Sequence, residues 1–147
     1  MVSGPEDTKT PSILFVCYGN VCRSPMAEGL AKHLIGKKTK IQSAGLSPVL
    51  KGAAPEAIET LRNLYAIDIS RHRARSITDI TLGVFDHIII LDVYVFETLK
   101  NRFPSDAEKL TLWDIEDPFG RDMNAYRKAA EKIKKRIEKQ LVPLYNP

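Results

Sequence analysis

The sequence is poor in the side chains that staple small secreted domains: 147 residues hold only two cysteines, Cys17 and Cys22, both in one short stretch. Two are too few for a disulfide framework, and no His/Cys spacing offers the ligand set of a structural zinc. A hydrophobic run long enough to span a membrane is also missing. The opening MVSGPEDTKTPS is polar without an apolar centre, so it reads as neither secretory leader nor membrane span. Residues 1–11 are expected to form a flexible N-terminal extension and 12–147 one domain, working in the cytoplasm. No Gly-x4-Gly-Lys-[Ser/Thr] sequence occurs, which removes the nucleotide-hydrolysing P-loop enzymes. The charge excess is small, a formal +4. The densest basic run, Lys128–Lys139, shares a helical repeat with Tyr126, Ala129, Ile133, Ile137 and Leu141, the pattern of a solvated face over a buried stripe. Neither a recognition helix nor a stacking platform is evident, so nucleic acid and membrane are not expected as partners; a mild positive field instead favours anionic, phosphorylated substrates.

What the sequence does have is concentrated in Ile13–Pro25, ILFVCYGNVCRSP. Four apolar residues, Ile13 to Val16, predict a strand buried on both faces; the chain breaks at Tyr18-Gly19-Asn20 and a helix opens near Ser24-Pro25. Cys17 therefore stands at the carboxyl end of a parallel strand, where open α/β sheets bind ligands. A loop running into a helix N-terminus aims several unpaired N–H groups at one point, which suits an anion. Gly19 and Asn20 tolerate the positive φ such a loop needs, and Ser24 can cap the helix and donate to the sulfur. Arg23 offers a planar fork of donors that grips two oxygens of a tetrahedral oxyanion. Tyr18, Gly19, Asn20, Val21, Cys22, Arg23 and Ser24 are thus the expected phosphate-binding loop, with Cys17 beneath it as nucleophile. A free thiol ionises near pH 8.5, but loop amides, a helix N-terminus and a guanidinium bring such values to roughly 3.5–7.5. Cys22, in the same tight loop, has two readings: a thiol that closes a reversible disulfide with Cys17 after oxidation, or a small buried residue against the first helix.

The segment VCYGNVCRSP, with Met26-Ala27-Glu28 after it, resembles the signature of the low-molecular-weight protein tyrosine phosphatases. Gln42-Ser43-Ala44-Gly45, Ile69–Arg75, Phe85-Asp86 and Asp117-Pro118-Phe119-Gly120 follow in that family's order, so the likeness spans nearly the whole chain. It implies that Ser43 and His72 bond to Asn20 and Ser24 and hold the loop in its anion-binding shape, whereas Arg71 and Arg73 read as solvated charges. It also implies a small doubly wound α/β fold, a four-stranded parallel sheet in the order 2-1-3-4 with helices on both faces and the phosphate loop after strand 1. The periodicity agrees: helices to Ile35 (closed by Gly36), over Glu56–Tyr65 and over Tyr94–Arg102 with Phe96, Leu99 and Phe103 inward, and strands over Lys40–Ser43, Asp86–Asp92 and Lys109–Trp113.

Asp117 precedes a proline, which disfavours helix and holds its carboxyl out on an extended stem. Cleaving a phenolate, whose conjugate acid has a pKa of about 10, benefits from such an acid on the departing oxygen. Asp117 is the expected acid, with Asp114 and Glu116 as alternatives and an optimum on the acid side of neutrality. Phe119 is the expected wall for an aromatic substrate, Tyr18 and Trp113 the weaker ones, and Val49 and Leu50 make a rim without the aromatic that relatives often show there. Arg121 could contact acidic residues beside the phosphoresidue. The expected activity is a metal-independent and cofactor-free hydrolysis of phosphotyrosine proteins or aryl phosphates through a phosphocysteine, by a monomer or weak homo-oligomer. Three alternatives stand beside it. Arginine phosphatases of this family usually carry Thr where this chain has Val21; arsenate reductases need cysteines outside the loop; a lapsed phosphate-binding module would be expected to lack one of Cys17, Arg23, Ser24 and Asp117.

Overall fold

The computed structural model describes residues 10–147, so the expected N-terminal extension lies, over residues 1–9, outside the described residues. The chain alternates β1 (Ser12–Cys17), α1 (Arg23–Ile35), β2 (Lys40–Gly45), α2 (Pro55–Tyr65), β3 (His87–Ile90), α3 (Val93–Arg102), β4 (Leu110–Leu112) and α4 (Met123–Arg136). A π-helical turn, Ile137–Leu141, carries α4 into a short α5 (Val142–Tyr145). All strand pairs are parallel and the order is β2-β1-β3-β4, as expected.

Every residue of β1 is buried, because a central parallel strand has helices on both sides and no polar face to spare. Ile13, Phe15 and Cys17 point into the core beneath α1, α2 and α4, and Leu14 and Val16 into the one beneath α3. Phe15 meets fully buried Trp113 at a ring-centroid distance of 6.0 Å. Burying a side chain of that size is worth about 1.5–3 kcal/mol, so each face of β1 is anchored by packing rather than by the ladder alone. On α1 the buried residues Met26, Ala27, Leu30, Ala31 and Ile35 repeat at helical spacing, and Gly36 ends it at φ 99°. The stripe Tyr126, Ala129, Ile133, Ile137 and Leu141 is buried, as its spacing predicts. Among the described residues no helix is long and apolar enough to cross a membrane.

Two expected strands run short, and the inward face of one helix includes Val95 beside the residues expected there. Asp86 and Asp92 lie outside β3: the Asp86 carboxylate accepts the Ser12 N–H at 2.8 Å, and Asp92 caps α3 by accepting the Tyr94 N–H at 3.0 Å. Lys109 and Trp113 likewise fall outside β4. On α3 the fully buried residues are Val95 and Leu99; Phe96 and Phe103 are only partly covered.

Candidate active site

Cys17 closes β1, and the five residues that follow turn back into α1, which begins at Arg23. The loop's carbonyls are spent on the segment after β2: Cys17, Tyr18 and Val21 accept N–H groups from Leu46, Ser47 and Ala54 at 3.0, 2.9 and 2.9 Å. The turn depends on Asn20, whose φ of 56° is left-handed; Gly19, the other residue expected to supply that freedom, does not adopt it. Asn20 is 0% exposed, and all of its polar atoms are used. Its N–H donates to Cys17 Sγ at 3.2 Å, its Nδ2 donates to Ser24 Oγ at 2.7 Å and Ser43 Oγ at 3.0 Å, and its Oδ1 accepts the Arg75 N–H at 2.9 Å. Its carbonyl accepts from His72 Nε2 at 2.9 Å, which fixes the proton on that ring nitrogen. Ser24 Oγ, which accepts from Asn20, lies 2.9 Å from Cys17 Sγ and keeps its own O–H free to donate there when the sulfur is ionised. The Asn20 N–H and the Ser24 hydroxyl thus both stand within bonding distance of the sulfur, as a sulfur anion requires.

Ser43 and His72 both bond Asn20, Ser43 Oγ through the Asn20 side chain and the His72 ring through its backbone carbonyl, and no bond from either residue to Ser24 is present. Behind them stands Glu28, which the sequence reading did not single out for this role. Its Oε1 accepts from Ser43 Oγ at 2.5 Å and lies 4.0 Å from His72 Nδ1, and its Oε2 accepts from Lys32 Nζ at 2.6 Å. Burial is the main cause that lowers the His72 pKa from its usual 6.5, against the Asn20 bond and Glu28, which raise it. The signal for Glu28 was its place on α1, one turn after Ser24 on the side that faces β2. Gly45 was missed too: a Cβ there would lie 2.9 Å from both the Asn20 nitrogen and the Gly19 carbonyl carbon, so only glycine lets the end of β2 approach the loop.

Arg23 is almost wholly buried. Its Nη1 donates to the carbonyls of Leu91 at 3.0 Å and Ile115 at 2.8 Å, and its Nη2 lies 3.6 Å from Asp92 Oδ2 and 3.5 Å from Asp117 Oδ2. Its Nε has no hydrogen-bond partner among the described residues. A buried, unpartnered donor on a cation is costly unless a ligand completes it. Asp92, at the carboxyl end of β3, was read only as a strand end; the signal available was that position, the same sheet edge as Cys17.

A cavity of about 340 Å³ opens over the sulfur, with Cys17, Arg23 and Asp117 on its walls and Tyr18, Val21 and Phe119 among its apolar ones. Gly19 and Cys22 also line it, whereas Asn20 and Ser24 act from behind, through bonds to Cys17. Asp117 is 53% exposed in its side chain, and its Oδ1 accepts the Phe119 N–H at 3.1 Å. Its neighbours Asp114 and Glu116 do not line the cavity, and Glu116 is instead paired with Arg121. Val49 and Leu50 form an exposed apolar rim. Trp113 is no wall of this cavity: it is fully buried against Phe15, and its Nε1 donates to Gln140 Oε1 at 3.0 Å. Ser24 is not the helix cap either; Cys22 holds that position without a side-chain capping bond, and the Ser24 hydroxyl is turned to the sulfur. The Cys22 thiol meets Tyr126 Oη at 3.4 Å, and burial pushes its pKa up to about 12.

A family model described as low molecular weight phosphotyrosine protein phosphatase matches residues 12–145. A probable low molecular weight protein-tyrosine-phosphatase, EpsP, of Ralstonia nicotianae is 33% identical over 135 residues, which cover 86% of this chain and 91% of that protein. Arsenate reductase 1 of Staphylococcus saprophyticus is 35% identical over 133 residues, 90% of this chain and 96% of that one. Among solved structures, a low molecular weight protein tyrosine phosphatase from T. tengcongensis shares the fold with a TM-score of 0.82 and 35% identity, covering 91% of this chain and 99% of that one. With the sheet order, the strand-end cysteine and a match that runs from β1 into α5, the chain belongs to the low molecular weight phosphotyrosine protein phosphatase family.

Proposed function

We propose that the protein hydrolyses phosphotyrosine and other aryl phosphate monoesters through a phosphocysteine at Cys17, without a metal. One observation carries the reading: the same cavity is lined by a cysteine sulfur that meets the Asn20 N–H and the Ser24 hydroxyl, and by a buried guanidinium whose Nε lacks a partner among the described residues. Loop amides and Arg23 hold the equatorial oxygens while Cys17 Sγ attacks phosphorus. The P–O bond to the aryl group breaks, and its electron pair leaves on an oxygen that Asp117 protonates. Water then attacks the phosphocysteine, Asp117 takes its proton, and phosphate departs with the thiolate restored. The charge that a metal supplies in other phosphoryl-transfer enzymes comes here from Arg23 and the loop dipoles. Asp117 is preferred as the acid over Asp114 and Glu116 because it alone of the three lines the cavity. Phe119, Tyr18, Val49 and Leu50 give that cavity apolar walls, which suit a phenyl ring better than an alkyl alcohol.

Cys22 is proposed as the thiol that resolves an oxidised Cys17: Cys17 sulfenic acid and the Cys22 thiol give a disulfide and water. Because its pKa is raised to about 12, chiefly by burial, this step is slow near neutrality and Cys22 itself resists oxidants. Both thiols must be kept reduced for turnover, which suits the cytoplasm. Phosphotyrosine proteins or small aryl phosphates are the substrates, acted on by a monomer or weak homo-oligomer.

The similarity to an arsenate reductase gives a second reading a footing. This chain's two cysteines both lie in the loop, so a disulfide relay has no cysteine outside it. Against an arginine phosphatase stands Val21, whose methyl groups cannot hold a water as a threonine hydroxyl would. The test is hydrolysis of para-nitrophenyl phosphate. Turnover that persists in EDTA and vanishes in Cys17→Ser supports the proposal; metal-dependent turnover, or none, overturns it. Competition among phosphotyrosine, phosphoarginine and phosphoserine peptides then decides the substrate class, with phosphotyrosine expected to win.

A further inference from the structure

A second cavity, of about 750 Å³, lies where α1 meets the segment 66–75 and shares no lining residue with the one over Cys17. Its volume is within the range of small-molecule sites, roughly 300–1,000 Å³. Its walls carry Lys32, His33, Arg71, Arg73 and Arg75, with only Glu28 and Asp68 of opposite sign. With the histidines neutral, four cations against two carboxylates leave +2 on the wall, half of the +4 formal charge of the whole chain. Both carboxylates are occupied: Glu28 by Lys32 and Ser43, Asp68 by the Ser70 N–H at 2.9 Å. Among the described residues none of the three arginines has a carboxylate within 4.0 Å, so three guanidinium groups line one concavity without a close ion pair, Arg71 acting on Asp68 only at longer range. Pro25, Ala66 and Ile67 supply an apolar end to the same space.

We propose that this groove is a second anion site, which takes a ligand carrying a chain of phosphate groups. A single phosphate engages one or two guanidinium groups; three arginines spread over one groove, with Lys32 shared between it and Glu28, match a chain of them. Occupancy is felt by the Cys17 loop through short links. The Arg75 N–H bonds Asn20 Oδ1, the His72 ring bonds the Asn20 carbonyl, and Lys32 bonds the Glu28 carboxylate that holds Ser43. A ligand that draws Lys32 and orders 71–75 therefore alters the frame around Asn20, and by linkage a ligand on the loop alters the groove.

The experiment is a titration of the full chain with inorganic tripolyphosphate, read by residue-resolved amide shifts. Saturable shifts are expected at residues 28–33 and 66–75, together with a component at Asn20 that follows the same isotherm. Arg71→Ala with Arg73→Ala should weaken the groove isotherm about tenfold or more and remove that Asn20 component, while peak dispersion reports that the fold persists; Arg71→Gln with Arg73→Gln is the milder pair. Raising salt from about 50 to 300 mM should weaken binding as well, since the cations are solvent-exposed. ADP in a parallel arm tells a free phosphate chain from a nucleotide: equal affinity assigns the site to phosphates alone, and tighter binding adds a base at the Ile67 end. Shifts confined to residues 17–24, shifts that do not saturate, or a groove isotherm untouched by both double variants would overturn the site. Because the readout is binding, a protein without phosphatase activity would sink the preceding proposal and leave this one standing.

Discussion

At the scale of single residues, the proposed chemistry rests on what Arg23 and Asp117 can do that close analogues cannot. Arg23 is clamped by two backbone carbonyls, at 3.0 and 2.8 Å, so its remaining donors are held in a fixed direction. A lysine there keeps the charge and loses the fork. Arg23→Lys should therefore lower kcat/KM for para-nitrophenyl phosphate by about 10²–10³, the usual cost of one lost transition-state donor, with the fold retained by circular dichroism. Asp117→Asn removes a proton donor without changing shape. The expected loss in kcat is about 10²–10⁴ for phenyl phosphate and smaller for para-nitrophenyl phosphate, whose leaving group is the weaker base. A loss independent of leaving-group basicity across a series of aryl phosphates would exclude Asp117 as the acid. Cys17, Arg23, Asp117 and Phe119, which line one cavity, could be grouped from the one-dimensional pattern because each is a residue type with a chemistry of its own. Glu28, Asp92 and Gly45 carry weaker signals, of position only, since each acts through a neighbour distant in sequence: Ser43, Arg23 and Asn20 respectively.

At the scale of elements, the site is made by the packing of the end of β2 against the loop after β1. Gly45 is the tightest point of that contact. Gly45→Ala places a methyl group against two backbone atoms at 2.9 Å, and neither can swing away as a side chain would. The expected result is a loss of about 1–3 kcal/mol by urea unfolding, with activity falling because Asn20 is displaced. A neutral Gly45→Ala would mean that β2 and the loop adjust independently. Element identities were legible from period and punctuation, but α3 shows the limit of that reading. Its sequence VYVFETLKNR puts aromatics and aliphatics on adjacent stripes. Only the neighbouring β3 and β4 decide that Val95 and Leu99 go in while Phe96 lies partly out, under Lys100.

Over the whole molecule, the support network ties activity to stability through pH. The His72 pKa is lowered on folding, first by burial, with Arg75 and Lys32 adding to the effect and the Asn20 bond and Glu28 opposing it. Between the lowered folded value and the unfolded value near 6.5, the unfolded chain binds the proton that the folded one refuses. Stability should then fall as pH drops below about 6.5, and the loss is complete once pH lies under the folded value. The urea midpoint measured from pH 7.5 to 5.5 should decline. His72→Gln, which keeps a donor for the Asn20 carbonyl, should remove the part of that decline due to His72; an unchanged slope would show that His72 does not titrate in this window.

The sequence by itself determined the class of chemistry and the order of the elements. A thiol, a guanidinium and a flexible turn packed into Cys17–Arg23 leave little else to read, and alternating apolar runs with helical repeats specify a parallel sheet by local physics alone. It could not decide which distant groups complete the loop. Hydrogen bonds between Asn20 and Arg75, or between Ser43 and Glu28, join residues 55 and 15 positions apart, and nothing in local propensity encodes such pairs. They exist because folding brings β2, α1 and the segment 66–75 around one buried asparagine. Left without those partners, its polar atoms would be unpaired in the core, and that cost is what makes the arrangement specific.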